Sequence, residues 1–60
     1  MSAVPEIRVG TRLWSEGLRA VLVVTAVSAE VELVGAGMAF DAPFDVVAGH
    51  VLSGRWRVLA

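Results

Sequence analysis

Cysteine, lysine, asparagine, glutamine and tyrosine are all missing from the 60 residues. Without cysteine no disulfide can staple the fold and no thiolate can serve as a nucleophile or soft metal ligand. Without lysine there is no amine for Schiff-base chemistry. One histidine, His50, is the whole supply of side chains that titrate near neutrality. Long hydrophobic runs are missing too. The longest uncharged stretch, Ala20 to Ala29, lies between Arg19 and Glu30 and is about half of the roughly 20 residues that a membrane span requires. Pro5, Glu6 and Arg8 break the start of the chain before an apolar signal segment can form. The expected location is therefore the cytoplasm, with no membrane contact. A large charge of either sign is also absent, since five basic and six acidic residues leave a net charge of −1.

What remains is apolar: 57% of the residues are hydrophobic, which reverses the disorder signature of low hydrophobicity and high charge. Valine occurs 12 times against one isoleucine, and every basic residue is arginine, a usage that reads as the GC-rich codons of the source genome. Branched valine packs well on a pleated surface. A core drawn from a chain this short supplies only about 3–5 kcal/mol, so one small β domain over residues 1–60 is expected, with residues 1–5 as a flexible tail.

Period-2 alternation runs through the chain. Glu6-Ile7-Arg8-Val9 alternates, Gly10-Thr11 interrupts as a bulge, and Arg12-Leu13-Trp14 resumes the strand. Ser15-Glu16-Gly17 is a turn signal with Gly17 at its positive-φ position. Leu18 to Val27 is so uniformly apolar that it reads as a strand buried on both faces. Ser28-Ala29 turns the chain, and Glu30-Val31-Glu32-Leu33 places two carboxylates on a solvated face. Gly35-Ala36-Gly37 is a second turn, followed by a short strand, Met38 to Phe40, closed by Asp41-Ala42-Pro43. Pro43 marks an edge or a break because it has no N–H to donate. Phe44 to Leu52 fits a strand or one helical turn, and Arg55 to Leu59 closes the chain as an alternating strand. Five or six strands at this spacing predict an all-β fold, a small five- to six-stranded barrel or sandwich. Its expected core is Val9, Leu13, Leu22, Val24, Val31, Leu33, Phe40 and Val58.

The stretch Val9-Gly10-Thr11-Arg12-Leu13-Trp14, then Glu16-Gly17 and a Val-rich strand, resembles the opening of SH3-like small β-barrels. More specifically, it is similar to the short β-barrel modules that precede the catalytic core in some actinobacterial transposases. The resemblance covers about Val9 to Leu33 and implies an SH3-like barrel acting as a DNA-associated accessory domain. It assigns no site residue. Those modules carry a charged hairpin where this chain has Leu33 to Phe40.

Catalytic groups are scarce. His50 sits in an apolar segment and reads as a half-buried structural residue rather than a general base. A metal site would have to combine His50 with Asp41 and Asp45, which lack ligand spacing; these aspartates read instead as turn caps. Glu30 and Glu32 read as solvated surface, and Gly35-Ala36-Gly37 has no following helix to hold a phosphate. No enzyme, cofactor or metal is expected. Binding is the better account. Arg8, Arg12 and Arg19 outweigh Glu6 and Glu16 in the first third, Glu30, Glu32, Asp41 and Asp45 make the middle acidic, and Arg55 and Arg57 make the end basic. Adjoining chain ends would form a basic face carrying Trp14 and Trp56, with the acidic face opposite.

Arginine and tryptophan together suit a protein hot spot or a nucleic-acid stacking surface. So apolar a composition leaves exposed hydrophobic surface, which points to a partner. The expected function is a protein-interaction or assembly module that binds itself or another protein through Arg12, Trp14, Arg55, Trp56, Arg57, Glu30 and Glu32. The alternative is a DNA-associated domain using Arg8, Arg12, Arg55, Arg57 and Trp56. Arg55 and Arg57 share a face in an extended strand, so copies joined head to tail through Glu30 and Glu32 are the expected form of self-association.

Overall fold

A computed structural model describes residues 6–59; the expected tail at residues 1–5 lies outside them. Five antiparallel strands and one helix follow in the order β1 (Arg12–Ser15), β2 (Ala20–Val27), β3 (Glu30–Gly35), β4 (Met38–Pro43), α1 (Phe44–Leu52) and β5 (Trp56–Leu59). They form one sheet in the order β4-β3-β2-β1-β5. The fold is all-β, as the alternation predicts. The sheet is open, however, because its edges β4 and β5 do not pair among the described residues, and α1 lies against β4, β5 and β3 instead.

Alternation decides which face is buried. Leu13, Leu22, Val24, Val31 and Leu33 point to one side, are fully buried, and meet Ile7, Val47 and Trp56 in a single cluster. The helix covers this side. Phe44, Val47, Ala48 and Val51 fall at the i, i+3, i+4, i+7 spacing of one helical face and all pack on the core. Residues 44–52 are thus a nine-residue helix, which is neither the strand nor the single turn expected. Pro43 both ends edge strand β4 and stands at the helix N-cap, where its missing N–H costs nothing. Asp45 lies in the first turn without a side-chain cap bond. The expected capping role is not found, and its carboxylate instead complements the helix dipole.

The turns differ from expectation in one place. Arg19 (φ 52), rather than Gly17, takes the left-handed conformation between β1 and β2. The buried Ser15 hydroxyl explains the shift by accepting the Leu18 amide at 3.2 Å, which fixes the turn early. Between β3 and β4, Ala36 (φ 53) and Gly37 (φ 74) both have positive φ, the pattern of a two-residue type I′ hairpin. Gly10 sits in a turn that precedes β1 rather than in a bulge within a strand, and the bulge falls in β2 between Val24 and Ala26.

Two core expectations and one binding-face expectation are corrected. Val9 is 64% exposed and Val58 48% exposed, because Val9 lies in the turn before β1 and Val58 on the four-residue edge strand beyond the helix's reach. Trp56, expected on a binding face, is only 9% exposed. Val9→Thr should therefore change stability by less than about 0.5 kcal/mol, whereas Leu22→Ala should cost about 2–5 kcal/mol. Urea unfolding followed by circular dichroism checks both, and equal costs would contradict this assignment of faces.

Candidate functional site: the outer face of the sheet

No helix among the described residues covers the second face of the sheet. β2 is therefore buried on one side only, contrary to the two-sided burial expected from its composition: Val21 and Val23 are each 36% exposed. Register extends this apolar surface across strands. Leu59, Arg12, Val23, Val34 and Ala39 stand in one cross-strand row, and Arg57, Trp14 and Val21 stand in the next. Val34 is 41% and Leu59 36% exposed. A third row brings Ala26, Glu32 and Asp41 together. The surface thus has a valine centre, arginines on the β1/β5 side and carboxylates on the β3/β4 side.

The predicted site residues divide clearly. Arg12, Trp14, Arg57, Glu30 and Glu32 share this outer face by their strand positions. Arg55 is exposed in the turn just before β5. Trp56 is not part of the face, because its place opposite Ser15 turns it into the core, where its ring meets His50 edge-on at 4.7 Å. His50 is half-buried and packs against the Trp56 ring. Basic and acidic groups occupy the two sides of one face, not opposite faces of the protein. Adjacent β1 and β5 do bring Arg12 and Arg57 together, but three strands separate Arg57 from Asp41 laterally within the same surface.

Local bonds fix two of these side chains. Thr25 Oγ1 donates to Glu32 Oε1 at 2.7 Å, holding that carboxylate on the face. The Trp14 indole N–H donates to Glu16 Oε2 at 3.3 Å. A shallow open groove at the β5 edge is lined by Trp14, Arg57, Val58 and Leu59. Arg8 forms an ion pair with Glu6 in the segment before β1, and Arg19 occupies the β1–β2 turn, so the arginines do not gather into one basic patch. Among the described residues no three His, Asp or Glu side chains form a group able to hold a metal ion. No helix there is long and apolar enough to cross a membrane.

Val21, Val23, Val34 and Leu59 are the surface residues that sequence reasoning missed. Part of the signal was present, since Glu30, Glu32 and Val34 fall on one face by period 2, as do Arg57 and Leu59. Strand order and register were needed to join them. No protein-family model, curated protein or solved structure matches this chain.

Proposed function

We propose that this chain is a non-enzymatic assembly module that associates with copies of itself through the outer face of its sheet. One observation carries the reading: Val21, Val23 and Val34 adjoin on the outer face, Leu59 stands beyond Arg12 in the row of Val23, and each of the four is at least a third exposed. Contiguous apolar patches rimmed by polar groups mark interaction sites, and Trp14 with Arg57 adds the residue types enriched at hot spots. The return of β5 to β1, with a helix between β4 and β5, supports reading the fold as an SH3-like barrel left open and bridged by α1.

Sedimentation velocity over a concentration series should show a reversible species heavier than one chain. Val23→Arg, at the centre of the patch, should shift the chain to monomer while leaving its circular dichroism unchanged. A monomer throughout for the wild-type chain would refute the proposal. The groove beside Trp14 and Arg57 favours a second reading as a DNA-associated accessory domain, in keeping with the transposase-module resemblance. Glu30, Glu32 and Asp41 on the same face oppose a phosphate backbone. DNA affinity tighter than about 10 μM at physiological salt, falling steeply as salt rises, would favour this second reading.

A further inference from the structure

We infer that the self-associated form is a closed, two-fold pair of sheets stacked face to face, rather than an open head-to-tail chain. The inference rests on the self-association proposed above. Its basis is that both poles of charge lie on one surface, arranged about a central strand. In the order β4-β3-β2-β1-β5, β2 has two strands on either side. A two-fold axis lying in the interface, passing over Val23 and inclined to β2, exchanges the β1/β5 side of one copy with the β3/β4 side of the other. Val23 then meets its own counterpart. The Arg57 side faces Asp41 of the second copy, and the Arg12 side faces Glu32, each contact being made twice.

Such an interface is isologous and closes at two copies. A head-to-tail chain would require the basic and acidic groups on different surfaces, and they are on the same one. Register sets the tilt of the axis: Arg57 lies in the row of Val21, whereas Asp41 and Glu32 lie beyond Val23 and Val34 in the opposite direction along the strands. An inclined axis brings them together, and stacked sheets ordinarily cross at an angle because each is twisted. A two-fold axis running across the strands would instead stack the arginine sides on each other and the carboxylate sides on each other, so charge selects the axis inclined to β2 over the one across it. The five strands, about 4.8 Å apart, make a face about 19 Å wide. This is the small end of specific interfaces, the size at which weak, transient pairs are found.

Two complementary variants test the arrangement by sedimentation equilibrium, with circular dichroism confirming the fold of each. One carries Arg12→Glu with Arg57→Glu, and the other Glu32→Arg with Asp41→Arg. If either double variant unfolds, Arg57→Glu and Asp41→Arg as single changes replace the pair. Alone, each should dimerise at least about tenfold more weakly than wild type. Mixed in equal amounts, they should recover wild-type affinity to within about threefold and stop at the mass of two chains. Recovery as larger species, or no recovery, would overturn the two-fold pair. A wild-type dimer indifferent to both reversals would also overturn it by placing the contact on another surface, while leaving self-association intact. A wild-type monomer at all concentrations would overturn both readings.

Discussion

Gly35→Ala should be the most damaging single-methyl change in the chain, costing about 3 kcal/mol, the upper end of the usual overpacking range. Gly35 does not have positive φ, and its requirement is space. A Cβ built there would collide with the Val21 carbonyl oxygen and lie 2.9 Å from Leu22 Cδ2 and 3.1 Å from Leu22 Cα. Two of these three atoms belong to the backbone of the central strand, so no rotamer change can relieve the contact. Nor can the glycine withdraw easily, because the adjoining Ala36-Gly37 turn fixes the end of β3 against β4. Gly37→Ala is the control. It meets open space but keeps a φ of +74, and should cost about 1–2 kcal/mol from backbone strain alone. Chemical denaturation of both variants separates the two mechanisms, and a Gly35→Ala protein as stable as Gly37→Ala would disprove the close approach.

Trp56→Ala should leave the chain largely unfolded at 25 °C. Removing a buried tryptophan costs about 3–5 kcal/mol, comparable to the whole stability expected of a domain this small. The position is sensitive for a specific reason: Trp56 is the one residue of β5 in the buried cluster, and it also meets His50 in the last turn of α1. Its loss would free the edge strand and the end of the helix together. Trp56→Phe keeps an aromatic ring in the site and should retain a cooperative transition at reduced stability. A sharp unfolding transition within about 1 kcal/mol of wild type for the alanine variant, a small surface-like effect, would show that β5 is held by its backbone bonds alone.

Sheet content and most turns were legible because they depend on local rules. Alternation at Glu30 to Leu33 assigned faces correctly, and the glycines of residues 35–37 marked the β3–β4 turn. The helix was less legible, since its Val-rich composition suits a strand and its i, i+3, i+4, i+7 apolar spacing spans only nine residues. β2 was misread for a different reason: its composition is apolar on both faces, so only the tertiary structure tells which face the helix covers. Trp56 and Val58 share a face by period 2, yet one is buried and the other exposed, because burial also depends on where α1 ends. The candidate site was legible as residue types and charge sides. Its assembly into one surface depends on register, which no local pattern encodes.

The place of β1 in the sheet governs how the chain acquires its structure. Strands β1 to β4 join successive neighbours through short turns, so each pairing closes a small loop. The remaining pairing, Ser15 with Trp56 through Arg12 with Leu59, closes a loop of about forty residues, for which most of the chain must already be ordered or compact. Folding from β1 to β4 can therefore run ahead, but completion waits for β5, and slow, non-local closure of this kind limits rate more than it limits stability. On a ribosome making the chain from its N-terminal side, β1 would offer one unpaired edge until residues 56–59 emerge. During that interval the edge is open to pairing with another chain.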